Sequence, residues 1–213
     1  MRAVGIGAGG HAKVVLEALL AQGDVEIVGL LDSDPGLKGH AVLGVPVLGG
    51  DELLEQLHRD GVRHAFMGVG GVGDNSIRRR LFERIQNTGF EFLSVRHASA
   101  VVSPSAELGE GTCLCPGAIV GAGARLGRNV IVNTGAIVEH DCDVGDHVHI
   151  ASGAVLAGAV VVGPGAHVGA GAAVRQGVRI GRDSLVAMGA AVVEDVPDEV
   201  AVAGVPARRM PAG

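Results

Sequence analysis

From Val102 to Val192 every sixth residue is Val, Leu or Ile, at sixteen positions in succession. With about a third of residues aliphatic in an ordinary chain, such a run does not arise by chance. The residue four places after each of these is equally restricted: Ala, Thr, Ser, Cys or Val throughout, from Ala106 to Val196. An α-helical stripe recurs every 3.6 residues and a half-buried strand every second residue, so a period of six fits neither. It fits a parallel β-helix in which each hexapeptide supplies one short strand and one turn. The aliphatic position points into a narrow interior and the small one packs at its corner. The glycines directly after the aliphatic (Gly109, Gly121, Gly127, Gly145, Gly163, Gly169, Gly181) suit turns where a side chain would clash.

The repeat explains an unusual composition. The 213 residues include 36 glycines, while aromatics make up 2%, with no Trp and no Tyr. All four phenylalanines and both lysines lie before residue 93, so the make-up changes near residue 97. The expected domains are 1–97 and 98–213. In the first, short apolar strands alternate with helices: Ala3–Ile6, then a helix over His11–Gln22, a strand over Val25–Leu31, a helix over Asp51–Asp60, a strand over Ala65–Val69 and a helix over Asn75–Asn87. That alternation implies βαβ units and a small Rossmann-like parallel sheet.

Charge and cysteine exclude several classes. The net charge is −6 and no long basic cluster is present, so the electrostatic footprint of nucleic-acid binding is missing. The one dense patch, Arg78-Arg79-Arg80, reads as a solvated helix face. An odd set of three cysteines (Cys113, Cys115, Cys142), with neither a signal-like leader nor an apolar run long enough to span a bilayer, predicts a cytoplasmic protein without membrane contact.

Gly5-Ile6-Gly7-Ala8-Gly9-Gly10 places a G-x-G-x-x-G turn between the first strand and first helix, and Asp32 follows the second strand. Glycines there let backbone N–H groups approach a phosphate at a helix N-terminus, and an acidic side chain beyond the second strand accepts from a ribose hydroxyl. A nicotinamide cofactor, the nucleotide of another ligand and a ligand-free structural turn all satisfy this pattern. A domain this small, half a dinucleotide fold, disfavours the first.

Gly7-Ala8-Gly9-Gly10-His11-Ala12, Leu31-Asp32-Ser33, Gly73-Asp74-Asn75-Ser76-Ile77-Arg78, Asn133-Thr134, Glu139-His140-Asp141-Cys142 and Gly204-Val205-Pro206-Ala207-Arg208-Arg209-Met210 occur in this order. In that order, over nearly the full length, the chain resembles the hexapeptide-repeat sugar acetyltransferases that include bacillosamine and perosamine N-acetyltransferases and sialic acid O-acetyltransferases. The resemblance implies a left-handed β-helix with three hexads per coil, hence about five coils, here capped by the polar stretch Glu194–Glu199. It implies a homotrimer that holds a nucleotide-linked sugar on the N-terminal domain and acetyl-CoA along the β-helix near a subunit interface. Carried over residue by residue, Gly9, Gly10, His11, Asp32, Ser33 and Gly70 would hold the sugar nucleotide. Relative to the bacillosamine branch, the Gly70-Gly71-Val72-Gly73 loop is longer and Ser33 replaces a second acidic residue.

The same resemblance assigns catalysis to His140 and Asp141. Acetyl transfer needs a base for the proton of the attacking amine or hydroxyl, a task suited to imidazole, and a neighbouring carboxylate orients the ring. Asn133 would help place the acceptor, His149, Ala170 and Met188 would contact acetyl-CoA, and the Gly158 N–H would face the thioester oxygen. Arg208 and Arg209 read either as CoA phosphate contacts or as a free basic tail. His147 and His167 read as solvated or column-stacked. No metal is expected from His140, Cys142, His147 and His149, since Cys142 occupies an inward position while His140 points elsewhere. Inward placement also makes Cys142 a poor nucleophile. The expected activity is N-acetylation of a UDP- or GDP-linked 4-amino-deoxysugar, with the base of the nucleotide and the sugar left open. O-acetylation of a sugar or sialic acid and a non-catalytic sugar-nucleotide scaffold are the competing readings.

Overall fold

The computed structural model describes residues 1–211. Its N-terminal part is a six-stranded sheet in the order β3-β4-β2-β1-β5-β6, formed by β1 (Arg2–Ile6), β2 (Glu26–Leu31), β3 (Ala41–Val42), β4 (Val45–Gly49), β5 (His64–Met67) and β6 (Glu91–Phe92). Every pairing is parallel except the β3–β4 hairpin. The helices are α1 (Gly10–Gln22), α2 (Leu54–Arg59) and α3 (Ser76–Gln86). Three strands escaped the sequence reading: β3 and β6 have two residues each, and Pro46 and the Gly44 turn mask the alternation in β4. The helix expected over Asp51–Asp60 begins as a 3₁₀ turn, Asp51–Leu53, and becomes α-helical only at Leu54.

The chain runs from β1 to β2 and β4 on one side, then crosses to β5 and β6 on the other. The strand order therefore reverses between β1 and β5, the place where open α/β sheets hold ligands beyond the carboxyl ends of their strands. The turn after β1 and the glycine-rich loop after β5 meet in that crevice. Gly7 has φ +94°, and a Cβ on it would lie 2.6 Å from Val69, so the turn after β1 needs glycine there.

From Val95 onward the chain is a three-faced prism. Two-residue parallel strands stack in register from one coil to the next, for example Ile119↔Ile137↔Val155 and Ile131↔His149↔His167, which is three hexads per coil. From Leu114 to Val192 the second residue of each strand enters a continuous aliphatic core with the small corner residues, including Cys142, as the hexad pattern requires, while Leu108 near the open end is 38% exposed. The glycines after the aliphatic position pack against the next coil: a Cβ on Gly109 would sit 2.5 Å from the Gly127 backbone and one on Gly145 2.7 Å from Pro164. The first rung is Val95–Arg96, one hexad before the aliphatic run. Arg96 stands where an aliphatic would, and its guanidinium bonds the Ala100 carbonyl, which hid this rung from the repeat.

The Glu194–Glu199 stretch is not the cap. The coil continues past it with a shortened step, pairing Ile180 with Val196 and Leu185–Val186 with Ala201–Val202. Arg208–Arg209 then turns back antiparallel on Val202–Ala203. These arginines belong to the closing strand and not to a free tail, and both are exposed.

The three faces differ in what they show outward. On one, Val95, Cys113, Ile131, His149 and His167 are buried, and the first two, with Cys115 and Ile131, share a core with Val15, Leu16 and Leu19 of α1. The second carries Glu107, Arg125, Asp143, Val161 and Arg179, with an Arg125–Asp143 ion pair. The third presents Val101 (60% exposed), Ile119 (38%), Ile137, Val155, Ala173 and Ala191 and is apolar from end to end. Arg78, expected on a solvated face, is 0% exposed, because α3 docks on the prism and not on solvent.

Candidate active site

The crevice at the strand-order reversal holds the residues predicted for the sugar nucleotide. Gly9 and Gly10 open α1, both are exposed, and a Cβ on either would meet nothing within 4 Å, so the first N–H groups of the helix stand free for an anion. The Asp32 carboxylate braces the turn, accepting from Ala8 N–H at 2.8 Å and from Asp34 N–H at 3.0 Å. Each oxygen keeps a lone pair for a ligand. Ser33 is exposed beside it. Gly70 backs onto His11, where an added Cβ would lie 3.4 Å from the His11 Cβ.

Across the crevice stands the prism corner after Ile131–Val132. The His149 Nδ1 lies 2.8 Å from the Gly71 carbonyl, which only accepts, so Nδ1 carries the proton. That leaves Nε2 to accept from Asn133 Nδ2 at 3.1 Å, and Asn133 Oδ1 accepts in turn from Thr134 N–H at 2.8 Å. A cavity of about 470 Å³ opens here between Val72 of the N-terminal loop and Ala170, Leu185 and Met188 of the prism. Its mouth carries two exposed apolar side chains on opposite walls, Val72 (93%) and Met188 (79%). Another concavity of about 560 Å³, lined by His64, Phe90, Glu91 and Glu110, lies beside β6 and contains none of these residues.

His147 and His167 are not solvated: with His149 they are covered by the chain's own N-terminal domain, and His149 and His167 stand edge-on at 4.9 Å in one column, the stacking expected for that pair. Burial, followed by the His167 ring and the Arg78 cation, pushes His149 down to about 3. Burial and then Arg78 push His11 down to about 4, and its Nε2 has no partner. Burial and Arg78 lower His147 to about 4 and His167 in the same direction. All four rings are therefore neutral near pH 7, and those of His147 and His149 act as hydrogen-bonding groups and not as cations.

His140 and Asp141 occupy a different corner, after Ile137–Val138. Their side chains are 55% and 70% exposed and His140 Nδ1 meets Asp141 Oδ2 at 2.9 Å. The carboxylate accepts, so Nδ1 is protonated and Nε2 presents its lone pair outward. Asp141 has φ +59°, a left-handed conformation that an aspartate tolerates better than most residues, at the turn position held by Gly123 one coil before. The ring stands over Gly158 one coil further on, where a Cβ would come within 2.6 Å of Cε1 and Nε2. Cys142 is buried with Sγ 3.2 Å from the Ala157 carbonyl, and burial raises its thiol above the ordinary value.

The predicted residues thus fall into two groups. Gly9, Gly10, His11, Asp32, Ser33 and Gly70 line one crevice, which continues through His149 and Asn133 to Ala170 and Met188. His140, Asp141 and Gly158 form the other group, at the next corner, with the apolar face between the two corners. Among the described residues no His, Cys, Asp and Glu side chains gather as a metal site.

Comparison with known proteins agrees with this architecture. The PglD N-terminal domain family matches residues 4–85, and the bacterial transferase hexapeptide (six repeats) family matches residues 123–158. A histidine-to-alanine variant of GDP-perosamine N-acetyltransferase from Caulobacter crescentus, in complex with CoA and GDP-perosamine, is 42% identical over 100% of this chain and 98% of that one, with a TM-score of 0.93. The acetyltransferase domain of PglB from Neisseria gonorrhoeae FA1090, in complex with acetyl coenzyme A, is 40% identical over 98% of both chains, with a TM-score of 0.90. The chain belongs to the hexapeptide-repeat sugar N-acetyltransferases. A curated relative, the UDP-N-acetylbacillosamine N-acetyltransferase of Bacillus subtilis (strain 168), is 39% identical over 112 residues, and that match spans about half of each protein, 50% of this chain and 48% of the relative.

Sequence reasoning missed Gly71 and Val72 as cavity walls, and Asn75 and Arg78 as buried polar groups. The hexad phase could have marked His149 and His167 as face residues, since each begins a strand, but no sequence signal says which face is covered. Among the described residues no helix is long and apolar enough to cross a membrane.

Proposed function

We propose that this protein transfers the acetyl group of acetyl-CoA to the amino group of a nucleotide-linked amino sugar, as a cytoplasmic homotrimer, with His140 as general base. The observation that carries the reading is the His140–Asp141 pair: Nδ1 bound to a carboxylate, Nε2 free, on an exposed corner. Asp141 holds the ring in this tautomer and stabilises it once it is protonated. The base is separated from the cavity of its own chain by the apolar face. Packing three such faces around an axis buries them and carries His140 of one protomer towards the cavity of its neighbour, so the site needs a partner copy.

The corner at Ala151, Gly169, Ala170 and Ala187 offers small side chains and backbone, with Met188 exposed at its edge, which fits a slender pantetheine chain. Acetyl-CoA supplies an activated thioester. His140 Nε2 takes the proton from the amine as the new N–C bond forms and the C–S bond breaks, and the protonated ring passes it to the CoA sulfur, which leaves as the thiol. The Gly158 N–H, unpaired among the described residues, is the donor assigned to the charge developing on the thioester oxygen. The crevice at Gly9, Gly10 and His11 holds the diphosphate of the sugar nucleotide, and Asp32 and Ser33 meet its nucleoside. The three free cysteines support a reducing compartment.

The test is release of CoA thiol from acetyl-CoA across UDP- and GDP-linked amino sugars. Turnover with amino sugars is expected, and His140→Ala should lower kcat by about 10²–10⁴-fold with assembly intact. Near-normal turnover in that variant would remove the mechanism. Turnover only with sugars lacking an amine would move the activity to O-acetylation.

A further inference from the structure

We propose that Arg78 is a positioning residue of the acceptor site: it holds the first turn of α3 against the stacked turns of the prism and so sets the Gly70–Gly73 loop against His149. The inference rests on the acetyltransferase reading for its kinetic consequences, but not for its geometry.

Three anchors at the start of α3 reach four successive coils at equivalent positions. Arg78 donates to the carbonyl of Asn129, and to those of His147 at 2.7 Å and Val148 at 3.3 Å. Asn75, 2% exposed, donates to Gly165 and Ala166 at 3.1 and 3.0 Å. Arg79 pairs with Asp183. Positions 129, 147, 165 and 183 are each one coil apart, so the helix start is laid along one column of turns. A flat guanidinium with five fixed donors suits carbonyls on two stacked coils in a way that a single ammonium does not.

Both partners of the Gly71–His149 hydrogen bond hang from these anchors. The Gly70–Gly73 loop runs directly into Asn75, and His149 follows the Val148 carbonyl that Arg78 holds. Moving α3 by one ångström would move Gly71 relative to His149 and, through Asn133, the wall of the cavity.

Among the described residues Arg78 pairs with no carboxylate, and its Nε has no partner. A docking contact of pure stability is made as well by apolar side chains, because a buried charge is costly to desolvate. The charge has a second consequence. The groups facing it are His147, His149 and His167 on the prism, Cys113 on the strand below, His11 at the head of α1 and Arg79 on its own helix, while Asp146 and Glu83 face His147 from the far side. Burial lowers Arg78 only to about 10, so it remains a cation beside rings that must stay neutral for Nε2 of His149 to accept from Asn133.

Two variants separate geometry from charge. Arg78→Lys keeps the cation and loses the fork, and Arg78→Gln loses both. In each, kcat/KM for the sugar nucleotide should fall at least tenfold with the fold and assembly retained, and amide exchange at Gly71–Gly73 should quicken at least tenfold. Only in Arg78→Gln should the His149 ring signal titrate at higher pH than in the wild type, because only that variant removes the cation beside it. Exchange and ring titration need no turnover, so a wild type without acetyl transfer would end the functional reading and still leave Arg78 judged. Folded variants with kcat/KM and loop exchange within twofold of wild type would overturn the proposal. If Arg78→Gln does not fold, Arg78→Lys decides through kcat/KM and loop exchange alone.

Discussion

Gly158→Ala tests the assigned base without touching it. Gly158 has no left-handed backbone to strain, so the added methyl is judged on space alone. It would sit 2.6 Å from Cε1 and Nε2 of His140 and 3.2 Å from Nδ1, against ordinary carbon contacts of about 3.5–4.0 Å. The ring must therefore move by roughly 1 Å or swing away. It is 55% exposed, and swinging costs chiefly the 2.9 Å bond to Asp141, about 1 kcal/mol at an exposed site. Stability should hardly change. Activity should, because a misplacement of about 1 Å lowers turnover by about 10²-fold, equivalent to roughly 3 kcal/mol of barrier. The control lies one coil before Glu139. A Cβ on Gly121 would meet the His140 backbone nitrogen at 2.7 Å and the Glu139 carbonyl carbon at 2.8 Å. Those atoms cannot swing, so Gly121→Ala should destabilise the prism. The assay is steady-state thiol release with a thermal melt on each variant. A Gly158→Ala enzyme within twofold of wild-type kcat would refute the placement of the base over this turn.

Acid should destabilise the fold before it unfolds the prism core. His149 is 6% exposed and neutral in the folded state, so unfolding binds a proton between its folded value of about 3 and the ordinary 6.5. Stability is therefore complete above about pH 7 and falls as the pH drops through 6.5 towards 3, by roughly 2 kcal/mol at pH 5 from this residue alone. His11 and His147 act in the same direction. Melting temperature should decline steadily from pH 7.5 to 5, less steeply in His149→Gln; a flat profile would refute the buried neutral assignment. On the apolar face, Ile137→Glu sets a carboxylate where three copies would meet. It should yield folded monomers without turnover, read by sedimentation and circular dichroism, and an intact trimer would show that another face is used.

The hexad run made the prism legible, including which residue of each strand points inward, because every coil repeats the same local steric rule. The turn after β1 was legible for a similar reason: Gly7 needs φ +94°, and such demands are written in single residues. The pairing of His140 with Asp141 was visible because the two are adjacent in the chain. By contrast, the two-residue strands β3 and β6 had too few residues to show a period, Pro46 masked β4, and Arg96 broke the repeat at the first rung. Arg78 looked like a surface cation, and the burial of His147, His149 and His167 could not be read, because nothing within the hexads marks which face of the prism is covered. The sequence by itself thus determined two folded units and the chemistry of their side chains. Only the tertiary structure decided that α3 lies along the column from Asn129 to Asp183. That contact joins residues 51 to 104 positions apart, and it buries Arg78 and the His149 column while leaving His140 exposed. Such long-range docking depends on the shapes of two finished surfaces, and no local pattern records it.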